Sequence, residues 1–126
     1  MDHRISQIFS VKEIIPSVGQ GVVALQCREK DFETIKILNK INHKLTNICV
    51  DAERQLLKIL EGDCDTAVGA IANIEDQNIT LEAELFSIDG KQRFFHSASK
   101  NINSALELGT EVGEILKKES NNSYKR

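Results

Sequence analysis

Two stretches of strict alternation constrain this chain most. Val68, Ala70, Ala72 and Ile74 alternate with other residues, and so do Ile79, Leu81, Ala83 and Leu85. Period two sends successive side chains to opposite faces, so each stretch reads as a strand with one face on a core. Residues 75–78 supply the turn between them. Asp89-Gly90 is a stronger hairpin signal, because glycine accommodates the positive φ of a tight turn. The third strand is expected over 91–98.

A sheet with one apolar face needs cover, and the flanking segments provide it. Over 47–60, Ile48, Ala52, Leu56 and Leu60 recur at fourfold spacing. Cys49, Leu57 and Ile59 widen that surface, while Asp51, Gln55 and Lys58 point mainly away. The backbone is expected to leave this helix near Glu61-Gly62, where glycine tolerates a left-handed conformation. A last helix is expected over 102–118, with Ile102, Ala105, Leu106, Val112 and Leu116 on its core face. Gly109 and Gly113 permit close packing, and Lys117 and Lys118 suit the negative end of the helix dipole. Ser104 and Glu107 have the spacing of a capping box, with Asn101 a competing start. Residues 120–126 read as a frayed tail.

The leading forty residues look unlike a self-contained domain. Ile5, Ile8 and Phe9 form a sparse apolar group, and Val11-Lys12-Glu13-Ile14-Ile15 then reaches Pro16. Ser17-Val18-Gly19-Gln20-Gly21 reads as a flexible crossing. Val22-Val23-Ala24-Leu25-Gln26-Cys27 has the length of a strand buried on both sides. Asp31 can cap a helix over 32–42, whose apolar face is Phe32, Ile35, Leu38 and Ile41. A strand followed by a helix is half of a repeating α/β unit, yet no partner strands are present. Either the sheet is completed elsewhere or the segment packs differently in isolation.

The fold class expected is therefore α+β: a three-stranded antiparallel sheet covered by helices, preceded by a βα remnant. The chain has 126 residues, 40% apolar and 28% charged, which is globular composition. Sixteen Lys plus Arg against nineteen Asp plus Glu give a net charge of −3. That balance disfavours a nucleic-acid partner, whose phosphates demand basic groups. Five Phe, one Tyr and no Trp offer little for base stacking. No run approaches the roughly 20 apolar residues of a membrane span. The start, Met1-Asp2-His3-Arg4, lacks a secretory apolar stretch, so a cytoplasmic location is expected. Three cysteines without a CxxC pair, with His3, His43 and His96 scattered, suggest neither a disulfide framework nor a metal site.

One cysteine stands apart. Cys64, in Leu60-Glu61-Gly62-Asp63-Cys64-Asp65-Thr66, lies between a helix and the first strand. A loop there can present sulfur to a ligand while helix and sheet hold the backbone. A thiolate is a strong nucleophile, although the charges of Asp63 and Asp65 oppose its formation unless a cation or backbone dipole offsets them. By local features, Cys64 is a covalent site or an inert junction residue. Cys27 and Cys49, in periodic apolar surroundings, read as packing. Arg54 lies off the strict fourfold stripe and reads as a partner for an anionic ligand or interdomain carboxylate, or as a solvated helix residue. Gln20 between two glycines is a turn signal and no phosphate loop. His96 has no local acid–base partner and reads as a strand-surface or satisfied core residue.

Taken jointly, three segments resemble the C-terminal part of porphobilinogen deaminase, also called hydroxymethylbilane synthase. They are Pro16-Ser17-Val18-Gly19-Gln20-Gly21-Val22-Val23-Ala24-Leu25-Gln26-Cys27-Arg28, then Ala52-Glu53-Arg54, then Leu60-Glu61-Gly62-Asp63-Cys64. The resemblance implies a dipyrromethane cofactor held on Cys64 by a thioether, with Arg54 near the cofactor or a domain interface. It implies an enzyme that condenses four porphobilinogen units, losing ammonia each time, and releases hydroxymethylbilane for tetrapyrrole and heme biosynthesis. It further implies that residues 1–15 finish a second domain, that 16–21 are a hinge, and that 22–40 supply a strand and helix to a first domain. Residues 44–126 then form the cofactor-attachment domain. The family's catalytic aspartate and most of its substrate-binding arginines belong to a preceding region, so no catalytic residue is assigned here and the isolated chain is expected to be inactive. The N-terminal domains are thus the expected partner of residues 22–42, with disorder, domain swapping or a dimer through that surface as alternatives. Asp63 replaces a common second glycine, Ala67 a common proline and Gln26 a common acidic residue. These departures bear on how efficiently cofactor is loaded, and they motivate an alternative: a non-catalytic ligand- or protein-binding relative.

Overall fold

The computed structural model describes residues 4–62 and 65–125. Helix α1 (Phe32–Ile41) and helix α2 (Lys44–Leu60) precede strands β1 (Val68–Glu75), β2 (Asn78–Phe86) and β3 (Arg93–Asn101). A 3₁₀ turn (Ile102–Ser104) leads into helix α3 (Ala105–Ser120). The strands form an antiparallel sheet in the order β1-β2-β3.

The alternation fixes the register. Ala72 pairs with Leu81 and Ala70 with Ala83, while Leu85 pairs with Phe94 and Leu81 with Ala98. All of these lie on the face that α2 and α3 cover. Leu56 and Leu60 from α2, Ile79, Leu81 and Leu85 from β2, and Leu108, Val112 and Leu116 from α3 are fully buried between sheet and helices. The helices meet at glycine: a Cβ on Gly109 would lie 2.3 Å from the Ala52 carbonyl oxygen, and one on Gly113 2.8 Å from Ile59 Cβ. The close packing expected of these two residues is present.

Several boundaries move, each for a local reason. Helix α2 begins at Lys44, earlier than periodicity alone suggests, because His43 caps it: Nδ1 accepts from the Thr46 N–H at 3.3 Å. β3 runs over 93–101 because its pairing continues to Asn78 opposite Asn101. The expected capping box is not formed. Ser104 makes no side-chain cap, and Asn101 instead accepts from the Asn103 N–H at 3.1 Å. The left-handed residue ending α2 is Glu61 (φ 54), and Gly62 does not adopt a positive φ. Asp31 caps α1 as expected, accepting from the Thr34 N–H at 3.1 Å.

Three expectations are corrected. Leu106, expected on the core face of α3, is exposed, and Leu108 is buried instead. Residues 120–125 are no frayed tail: Tyr124 is 4% exposed and belongs to the core, and its hydroxyl donates to the Leu60 carbonyl at 2.9 Å. Residues 22–27 form no strand. A strand needs an edge to pair with, and the edge of β1 is met by residues 16–17, through a bridge between Ser17 and Gly69 and a bond from the Ala70 N–H to the Pro16 carbonyl at 2.9 Å. Val23 and Leu25 remain exposed, and α1 buries no residue, leaving Phe32, Ile37 and Ile41 open to solvent. No helix among the described residues is long and apolar enough to cross a membrane.

Candidate functional site

The connection from α2 to β1 contains the cysteine singled out by sequence. Asp63 and Cys64 lie outside the described residues, so its setting is defined by what flanks it. Upstream, α2 ends in a paired turn: Gly62 N–H donates to the Leu57 carbonyl (3.0 Å) and Glu61 N–H to the Lys58 carbonyl (3.1 Å). This is the Schellman arrangement, with Glu61 in the left-handed position. Gly62 is close to Leu57 and Thr66, since a Cβ there would sit 2.6 Å from Leu57 Cδ1. Downstream, Ala67 accepts from the Phe86 N–H at 3.0 Å, extending the β1–β2 pairing to the foot of the loop. A groove beside the loop is lined by Glu61, Asp65, Phe86, Ile88, Tyr124 and Lys125, among others.

The electrostatics of this groove centre on Glu61. Lys125 forms a close ion pair with it, and Lys117 lies 3.5 Å away. The Lys125 hydrogen bond, with the charge of Lys117, holds the Glu61 carboxyl below its ordinary value. The same pairing raises the Lys125 ammonium, and burial pushes the Tyr124 phenol up. The two lysines are thus engaged with a carboxylate of this chain.

Arg54 is placed elsewhere. It is exposed and lines a hollow between α2 and the 21–42 segment, together with Gly21, Val22, Cys27 and Asn47. It is not among the residues lining the groove at the loop. Cys27 borders the same hollow, half-buried, and Cys49 packs against the core, where burial and then the Glu53 charge push its thiol up. His96 is half-buried on the face shared by Phe94 and Ala98. Among the described residues, no three His, Cys, Asp or Glu side chains gather as a metal site.

Sequence reasoning passes over Glu53. It is buried, and its carboxylate accepts from the Gly19 N–H at 2.7 Å and from the Ala72 N–H at 2.9 Å. One side chain thereby joins α2, β1 and the crossing segment, with Gly19 held at φ 71. A signal does exist: Glu53 stands four residues after Cys49 and three before Leu56, on the apolar stripe rather than beside it. A carboxylate there needs buried donors.

Residues 47–118 match the family model described as porphobilinogen deaminase, C-terminal domain. The chain belongs to this family. The match covers most of α2, the loop, the whole sheet and most of α3. The chain is 36% identical over 112 residues to porphobilinogen deaminase of Desulforamulus reducens, an alignment covering 89% of this chain and 36% of that protein. It is 35% identical over 119 residues to the Staphylococcus carnosus protein of the same name (94% and 38%), and 33% identical over 126 residues to that of Coxiella burnetii (100% and 41%). The chain therefore spans about two fifths of the length of these relatives.

Proposed function

We propose that this chain is the cofactor-bearing C-terminal portion of a hydroxymethylbilane synthase, the enzyme that condenses four porphobilinogen molecules with loss of ammonia. The observation that carries this reading is the family match across 47–118, which contains the α2–β1 loop and the cysteine that loop brings with it. Cys64 is proposed as the attachment point, through a thioether, of a dipyrromethane cofactor. When bound, that group supplies a stable primer from which the pyrrole chain extends.

The described surroundings suit a tether better than a complete binding cradle. The loop is anchored at both feet, by Gly62 to Leu57 and by Ala67 to Phe86. Phe86 and Ile88 give the groove an apolar wall, but Lys117 and Lys125 are already paired with Glu61. The carboxylates of a dipyrromethane would then meet basic groups from outside this domain. Arg54 is proposed to serve at the domain interface, since it borders the segment that lacks a partner.

The domain division follows the same reading. Residues 1–15 would close a second domain, 16–21 would act as the return hinge, and 22–40 would enter a first domain, there forming the strand that has no neighbour here. Residues 44–126 would form the attachment domain. In this role Glu53 fixes the hinge to the attachment domain through Gly19. The setting proposed is cytoplasmic.

The test is a porphobilinogen-consumption assay. The purified chain alone is expected to show no turnover, and co-production with the two preceding domains of a relative is expected to restore it. Robust turnover by the chain alone, or none by the reassembled pair, would overturn the proposal. Asp63 and Ala67, which depart from the family pattern beside Cys64, favour a second reading as a non-catalytic ligand- or protein-binding relative. A neighbouring reading frame encoding the two preceding domains would count against it.

A further inference from the structure

The segment after α3 does more than fill the core. The last four carbonyls of an α-helix have no partner within it. In α2 all four find one. Leu57 and Lys58 accept from the N–H groups of Gly62 and Glu61. Ile59 accepts from Lys117 Nζ at 3.3 Å, and Leu60 from the Tyr124 hydroxyl at 2.9 Å. Lys125 and Lys117 also hold the Glu61 carboxylate. Half of this closure thus comes from the far end of the sequence.

The tail is shaped for that contact. Asn121 (φ 47) and Asn122 (φ 59) both adopt the left-handed conformation, which turns the chain back after Ser120. Ser123 N–H donates to the Ser120 carbonyl at 2.9 Å, and the Ser123 carbonyl accepts from the Ile88 N–H at 3.0 Å. Asparagine tolerates the left-handed region better than other residues with a Cβ, and the turn these two make carries Tyr124 into the core. A phenylalanine would fill the same space. Only the hydroxyl reaches Leu60.

We infer that Tyr124, with Lys117 and Lys125, acts as a positioning device that fixes the direction in which the chain leaves α2 toward Cys64, and thereby favours cofactor loading. The inference rests on the proposed role of Cys64. The tail and the last turn of α3 then share a specific structural role, which is to hold Ile59 through Lys117, Leu60 through Tyr124 and Glu61 through both lysines, the three residues that end α2 and begin the path into the loop.

The experiment pairs two readouts on the full chain, co-produced with the two preceding domains of a relative. One is amide hydrogen exchange, and the other is the fraction of chain carrying a two-ring adduct by intact mass. Tyr124→Phe is expected to accelerate exchange at Glu61 and Gly62 by about fivefold, the factor that corresponds to one ordinary hydrogen bond. Leu81 and Ala83 in β2 should keep their protection, and the adduct fraction should fall. Lys117→Arg, which retains a donor for Ile59, should load better than Lys117→Ala. Equal acceleration throughout β2, no change at Glu61 and Gly62, or looser exchange with undiminished loading would each overturn the inference. A wild-type chain without adduct would instead refute the role of Cys64, while the exchange data would still report whether the tail fixes the end of α2.

Discussion

Replacing Gly109 by alanine sets two effects of opposite sign against each other. Gly109 lies within α3, where helix propensity alone favours alanine by about 1 kcal/mol. The added Cβ, however, would stand 2.3 Å from the Ala52 carbonyl oxygen and 2.9 Å from Gln55 Cβ. The first neighbour is backbone of the facing helix, so no rotamer change can relieve it. Moving α2 and α3 apart by about 1 Å would forfeit a quarter to a half of the dispersion energy of the atoms that separate. Leu56, Leu108 and Val112 lie in the same core and share that loss. Overpacking of this kind costs about 1–3 kcal/mol. A contact this short belongs at the upper end, so the net loss is about 2 kcal/mol after the propensity gain. For a domain of this size that is a fall in Tm of about 8–16 °C. Thermal unfolding followed by far-ultraviolet circular dichroism reads it directly. Gly90→Ala is the control, since its φ is +68 and nothing lies within 4 Å of the added carbon; its cost, about 1–2 kcal/mol, reflects backbone strain alone. An unchanged or raised Tm in Gly109→Ala would refute the claim that glycine sets the helix spacing.

Other outcomes follow from the same contacts. Glu53→Gln leaves one oxygen to serve the two N–H groups of Gly19 and Ala72, and is expected to cost about 1–3 kcal/mol; exchange at those two amides should accelerate, and unchanged protection would remove Glu53 from its joining role. The Glu61 carboxyl is depressed below its ordinary value of 4.5, so its contribution is present above that value and fades as pH falls through the lower folded value. Acidification below 4.5 should therefore loosen the tail, seen in the NMR signals of the Tyr124 ring, and Glu61→Gln should abolish that dependence. Tyr124→Phe should leave the core filled yet free the Leu60 carbonyl, which a structure of the variant would show as a displaced end of α2.

The sheet is legible in the sequence because its pattern is simple. Ile79, Leu81, Ala83 and Leu85 bury one face, and a shift of one residue would expose them all, so period two carries both strand and register. The glycine-mediated approach of α3 to α2 is also readable, since Gly109 and Gly113 fall in a helix that otherwise favours other residues. The tail is not. Asn121, Asn122 and Ser123 are polar and adopt turns, which hides the fact that the next residue is a core anchor. Glu53 escapes notice because its charge argues for solvent while its position on the Cys49–Leu56 stripe argues for burial, and the two buried N–H donors that resolve the conflict come from distant segments. The run at 22–27 is plainly apolar, but strand formation depends on a neighbour that composition cannot supply. Of the two candidate site residues, Arg54 lies beside that unpaired segment, and Cys64 is marked by its place between α2 and β1 and by the family segment around it.

Cys64 is proposed to receive the cofactor. The most direct test of that proposal is intact mass of the chain, co-produced with the two preceding domains of a relative, followed by peptide fragmentation. The expected result is a two-pyrrole adduct confined to the peptide containing Cys64 and abolished by Cys64→Ser. An unmodified Cys64 under those conditions, or an adduct mapped to Cys27 or Cys49, would contradict it.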